Sequence, residues 1–230
     1  LDATTRPTMD VDQFVDANEP NEGGAPFQLE NDKLLDVAVD GTVTTKAGAM
    51  VAYTGDLTFR GKSSAEGGIM GFVKEKATGE GTDVMSVEGE GHLYLADQAK
   101  DIQILELDAG ESISVNGEDV LAFDDTVSYE ISTIDSLSGA SAGGFTNVFL
   151  EGPGHVAITS HGTPLVLTPP VTTDPDATVA WSGTSPQSGV DTGLSEMIGQ
   201  SSGETYQLEF TGTEGFVVVQ PYEEHATAQQ

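Results

Sequence analysis

Three times along this chain an apolar–alanine–aromatic triplet recurs: Val51-Ala52-Tyr53, Leu121-Ala122-Phe123 and Val179-Ala180-Trp181. Their alanines lie 70 and then 58 residues apart (122 − 52 and 180 − 122). The first two copies continue alike, Tyr53 being followed by Leu57 and Phe59 and Phe123 by Val127 and Tyr129. The third loses its second half to a polar stretch, Ser182 to Glu204, that reads as a long loop. A second motif interleaves with the first. Val87-Glu88-Gly89-Glu90-Gly91-His92-Leu93-Tyr94-Leu95 matches Leu150-Glu151-Gly152-Pro153-Gly154-His155-Val156-Ala157-Ile158, and the segment from Phe210 through Gly212 and Gly215 to Val219 matches with one insertion. Repeats of this length mark supersecondary units that bury their faces against one another. The paired glycines predict a bulge or a close approach of two strands. The pattern therefore predicts three pseudo-equivalent β-units sharing one core, with Tyr53, Phe123 and Trp181 as repeated core residues.

The local pattern agrees. From Phe27 onward the chain consists of runs of four to seven residues such as LLDVAV, HLYL, IQILEL, TVSYEI, HVAI, YQLEF and FVVV, each bounded by Gly, Asp, Asn or Pro. Short alternating apolar runs at close spacing indicate strands of a sandwich or barrel. The fold class expected is all-β, a sandwich or barrel built from pseudo-repeated antiparallel β-units. Residues 1–26 read as an acidic N-terminal arm, 27–222 as a single all-β domain, and 223–230 as a C-terminal tail. Within the domain the repeats are placed at about 27–83, 84–146 and 147–222. A helix of one or two turns is expected only near Gly193 to Ile198.

Charge sets the environment. The formal net charge is -30, and from Asp101 to Gln230 no lysine or arginine offsets 20 of the 38 acids. Such a surface repels itself in dilute buffer, whereas the Debye length shrinks to roughly 3 Å at about 1 M salt. A disordered acidic chain is excluded because the acids are interspersed among β-branched and aromatic residues. The expected setting is a halophile, with a high-salt cytoplasm as the compartment and membrane-peripheral placement or secretion also compatible. Nucleic acid is not an expected partner, since phosphate contacts need Lys and Arg. With no cysteine there is no disulfide framework, thiolate metal site or thiol nucleophile. No run approaches the roughly 18 apolar residues of a membrane span.

Gly48-Ala49-Met50-Val51-Ala52-Tyr53, the Gly67-Gly68 pair, Gly79-Glu80 and the two Gly-x-Gly-His strands together resemble the altered-inheritance-of-mitochondria-24 family over Phe27 to Tyr222. After Glu80 the chain departs from the family's usual Gly-Glu-Ser-hydrophobic pattern. The resemblance implies an all-β fold related to the tryptophan RNA-binding attenuation proteins and assembly as a symmetric oligomer. It brings no catalytic residues. RNA binding is not carried over, because the lysines it would use are missing.

Residue by residue, the chemistry is sparse. Gly139-Ala140-Ser141-Ala142-Gly143 matches the nucleophile-elbow pattern, but that turn needs a helix after it and Gly144 to Leu150 reads as a strand. His92 and His155 occupy equivalent repeat positions, yet neither has a second ligand at metal spacing, so both read as surface or interface histidines. Asp124-Asp125, Asp174-Pro175-Asp176 and Glu223-Glu224 are pairs expected from an acidic composition. No metal, cofactor or catalytic residue is assigned.

A basic hairpin remains. Arg60, Lys62, Lys74 and Lys76 are half of the 8 cations and flank Ile69, Met70 and Phe72. On an acidic protein this hairpin is the expected oligomer interface, its charges steering and its apolar residues supplying affinity. The function expected is thus a non-catalytic structural or assembly protein, a homo-oligomer with a trimer favoured and other proteins as further partners, working as a scaffold linked to the membrane or envelope. The alternative is a small-ligand-binding barrel with the three aromatics lining a cavity; an enzyme ranks third. The charge alone makes one prediction. Melting temperature should rise steadily from low salt to about 2 M KCl as repulsion is screened, and a flat or falling trend in calorimetry would refute the halophilic reading.

Overall fold

In the strand Leu34–Lys46 (β2), Val37, Val39, Val43 and Thr45 are buried while Ala38 and Asp40 face out, which is how alternation becomes structure. The computed structural model describes residues 8–61, 84–134, 145–190 and 206–223. Antiparallel strands dominate. A short helix, α1 (Val11–Asp16), and β1 (Phe27–Asn31) precede β2. Then come β3 (Met50–Gly61), β4 (Val84–Leu95), β5 (Asp101–Leu107), β6 (Ser112–Asn116), β7 (Val120–Asp124), β8 (Ser128–Ile134), β9 (Phe145–Glu151) and β10 (Gly154–Ser160). The last third carries β11 (Leu165–Leu167), β12 (Val171–Thr173), β13 (Thr178–Ser182), β14 (Gln187–Val190), β15 (Tyr206–Phe210) and β16 (Phe216–Val219).

The registers make the repeat physical. Tyr53 of β3 lies opposite Leu93 of β4, Phe123 of β7 opposite Val156 of β10, and Trp181 of β13 opposite Val217 of β16. Next to them Ala52 faces Tyr94, Ala122 faces Ala157 and Ala180 faces Val218. Each ladder shifts register at the same place, so that Val51, Leu121 and Val179 are bulged residues at one repeat position. In the first unit three long strands do the work of six short ones. β2 corresponds to β5 plus β6 and to β11 plus β12; β3 to β7 plus β8 and to β13 plus β14; β4 to β9 plus β10 and to β15 plus β16.

Pairing groups the strands as 34–95, 101–160 and 165–219, so the divisions fall later than the expected cuts at 83/84 and 146/147. Periodicity gives the length of a repeat but not its phase; the ladders supply the phase. Four of the elements also depart from the sequence reading. β1, β12 and β14 are not among the expected strands, and β14 lies inside the polar stretch that reads as a loop. α1 sits in the arm, where Asp10 and Gln13 form a capping box over an otherwise fully exposed turn and a half. The helix expected at 193–198 lies outside the described residues.

Glycines admit the close approaches. At Gly89 (φ 137°) an added Cβ would stand 2.0 Å from the Asp56 carbonyl oxygen, so β3 and β4 can meet there only without a side chain.

Sheets are shared between units. Among the described residues the first runs β3-β4-β2-β7-β10-β5, with β1 beside β2; the second runs β11-β16-β13-β6-β9-β8; the third runs β12-β15-β14. β2 of the first unit thus hydrogen-bonds to β7 of the second, with Thr44 opposite Phe123, and β6 of the second to β13 of the third, with Ser114 opposite Trp181. The cores follow this sharing. The first cluster holds Leu35, Val37, Leu93 and Leu95 and borrows Leu121 and Ala122 from β7. The second holds Phe123, Leu150 and Val156 and borrows Val179 and Ala180 from β13. The third consists of Trp181, Leu208, Phe210 and Val217 and borrows from no other unit among the described residues.

A buried ion pair fixes the linker between the first two units to the second. Lys100, 2% exposed, places its Nζ 2.8 Å from Oδ1 of the fully buried Asp119. Nearby, Lys46 contacts Asp97 at 2.8 Å and donates to the Glu118 carbonyl at 2.7 Å. Removing one member of such a pair leaves a buried charge. Lys100→Met should therefore cost roughly 3–5 kcal/mol in urea denaturation; a loss below about 1 kcal/mol would show that Asp119 does not depend on the ammonium.

Candidate functional site

The two histidines at equivalent repeat positions are each satisfied locally, by different means. His92 Nδ1 lies 3.0 Å from both carboxylate oxygens of Asp36 on β2. His155 Nδ1 lies 2.7 Å from Asp124 Oδ2 on β7, its backbone N–H donates to the same oxygen at 2.7 Å, and its ring stacks on Phe27 with centroids 5.5 Å apart. The carboxylates occupy unrelated repeat positions, so the His–Asp contacts arose separately and are not a repeated site. Beside His92, burial and then the carboxylates of Asp36 and Glu30 push the Tyr94 phenol above its ordinary value. Among the described residues no three His, Asp or Glu side chains converge as a metal centre would require. Ser141 lies outside the described residues. No helix among them is long and apolar enough to cross a membrane.

Of the proposed basic interface, only Arg60 is described, and it pairs within its own chain, 3.2 Å from Glu88 Oε2. Lys62, Ile69, Met70, Phe72, Lys74 and Lys76 lie outside the described residues. Near Arg60 a cleft of about 210 Å³ is lined by Thr44, Met85, Ser86 and Tyr129 among others. That is smaller than the roughly 300–1,000 Å³ of typical ligand pockets, and none of the three repeat aromatics lines it.

The aromatics divide instead. Phe123 is 1% and Trp181 3% exposed, as core residues should be, but Tyr53 is 48% exposed. Placing Tyr53 in the core is therefore corrected, and the reason is positional. β3 is the edge of the first sheet, whereas β7 and β13 each have a neighbour on both sides. The first half of the edge, from Met50 to Asp56, shares this fate. Met50 and Val51 are 40% and 60% exposed, while their counterparts Val120, Leu121, Thr178 and Val179 are all fully buried. Tyr53 keeps one contact of its repeat, an edge-on packing against Phe59 with centroids 5.1 Å apart, equivalent to that of Phe123 with Tyr129. Sequence reasoning missed the edge because the motif is the same in all three copies; only the order of strands separates them. The geometry defines a surface rather than a pocket: an apolar edge strand in a position that the fold covers twice elsewhere.

A repeated antiparallel β-protein with shared sheets is the class this defines. The chain belongs to the mitochondrial biogenesis AIM24 family, which matches residues 27–222. It is similar in fold to a Streptococcus pyogenes protein solved by X-ray crystallography as a structural-genomics target, at 23% identity and a TM-score of 0.66. That likeness covers 86% of this chain and 92% of the other. No curated protein matches the chain.

The two environments of one motif make a direct contrast. Phe123→Ala should cost roughly 3–5 kcal/mol, the range for a buried Phe. Tyr53→Ala should cost about 1 kcal/mol or less in the dilute chain. Equal costs in denaturant titrations at molar KCl, extrapolated to infinitely dilute protein, would mean that the exposed and buried positions are not energetically distinct.

Proposed function

We propose that this protein is a non-catalytic assembly module that works as a homo-oligomer, with a trimer favoured, and serves as a scaffold in a molar-salt setting. The observation that carries this reading is the exposure of Met50, Val51 and Tyr53 at positions buried in both other units. An apolar edge strand is a template for further pairing, and proteins normally blunt it with lysine, proline or a covering element. From Met50 to Gly55 this edge has no charge and no proline. A second copy is the natural cover for a surface that the chain already covers twice for itself.

Salt is consistent with such an assembly. Exposed ion pairs contribute about 0–1 kcal/mol and weaken as salt rises, so a contact made of backbone hydrogen bonds and apolar side chains suits a chain of charge -30. Light scattering after gel filtration at 2 M KCl tests the reading. The expected mass is about three times that of the 23.9 kDa chain, and an oligomer should weaken as salt is removed. A monomer at micromolar concentration in molar salt would overturn the proposal.

A further inference from the structure

We propose that copies join head to tail through one defined ladder, the free edge of β12 in one copy pairing antiparallel with the free edge of β3 in the next. This rests on the assembly reading above and specifies its surface and register. The template is internal. The second half of β2 pairs with β7, and β6, its equivalent, pairs with β13. β12 is the third member of that set, because Val171 faces Phe210 as Val43 faces Val87 and Ile113 faces Leu150. Among the described residues β12 sits at the edge of its sheet and pairs with β15 alone, and β3 sits at the edge of the first sheet and pairs with β4 alone. Each therefore lacks the neighbour that the other would provide. Joining them turns the three-stranded third sheet into β14-β15-β12 followed by β3-β4-β2 of the next copy, the same succession of equivalents as β8-β9-β6-β13-β16-β11.

Two further observations point to the same contact. The first core borrows Leu121 and Ala122 and the second borrows Val179 and Ala180, but the third, with four buried residues, borrows none among the described residues. The corresponding side chains are Val51 and Ala52, both exposed. They would complete the third core of the neighbouring copy. On the other side of the ladder Thr172 is exposed, whereas Ser114 at its position is buried beneath β13. The transferred register sets Thr172 opposite Tyr53 and Thr173 opposite Ala52. Because the two edges are different surfaces, the contact is heterologous, and it repeats until a ring closes or a filament grows.

Cysteine cross-linking tests this in a chain that has no cysteine of its own. Directly opposed residues of an antiparallel pair lie within disulfide reach. Thr172→Cys and Tyr53→Cys would be prepared separately, mixed at low salt, returned to 2 M KCl and oxidised, with Ala52→Cys and Thr173→Cys as a second pair on the opposite face. The expected result is a covalent dimer in each mixture and none with either variant alone. The double variant Tyr53→Cys/Thr172→Cys should give a ladder ending at the mass seen by light scattering. Cross-linking of Tyr53→Cys alone would mean two-fold β3-to-β3 pairing and would overturn the head-to-tail contact. Oligomers by light scattering with no cross-link in either mixture would also overturn it, while leaving assembly itself standing; a monomeric wild type would remove both. Independently, Val51→Lys should reduce assembly at least tenfold and leave the monomer's circular dichroism and melting intact, since Val51 is exposed in the chain; undiminished assembly of this variant would refute the interface.

Discussion

The ladder between units is the constraint on which the rest of this structure depends. The first two units do not close their cores alone. Each takes a bulged apolar residue and an alanine from the strand that the following unit lends to its sheet. Ala122 and Ala180 are fully buried in the preceding unit's core, on strands that are paired at both edges. The bulge serves the same end. Shifting register once lets Leu121 and Val179 turn into the preceding unit's core while Phe123 and Trp181 stay in their own.

Much of this was legible in the sequence. The apolar–alanine–aromatic triplets and the glycine-paired strands were aligned by residue type alone, and the registers place Tyr53, Phe123 and Trp181 opposite equivalent partners. The alternation also located Leu93 and Leu95 on the buried face and His92 on the exposed one. What sequence could not supply was context. Tyr53 has the same neighbours in sequence as Phe123, so nothing local distinguishes the edge copy from the covered one. Repeat phase was lost for a related reason, since any cyclic shift of the unit fits the same periods. β12, three residues after two prolines, is too short to show alternation. The helix could have been found from Asp10 and Gln13, whose spacing is that of a capping box.

The four described cations are used inside the chain. Lys33 contacts Asp101, Lys46 reaches Asp97, Lys100 reaches Asp119 and Arg60 reaches Glu88. The pair Lys100–Asp119 is beyond the reach of salt because both groups are buried, whereas Arg60–Glu88 is exposed and screened. At molar salt a positive charge keeps its effect where it is buried and loses it where it is exposed.

An assembly step built on the internal ladder has an energetic consequence. In an isolated chain the first unit keeps an uncovered edge, and among the described residues the third core has four buried residues against fifteen and thirteen in the first and second. Local stability follows buried apolar contacts, so β3 and the third unit should open more readily than β7 and β10, which are paired on both sides. Assembly would cover both, and apparent stability would then grow with protein concentration by mass action. The concentration dependence falls on β3 and β12 rather than on the molecule as a whole. Hydrogen exchange at those strands is therefore where isolated and assembled chains would differ most, while β7 and β10 would exchange alike in both.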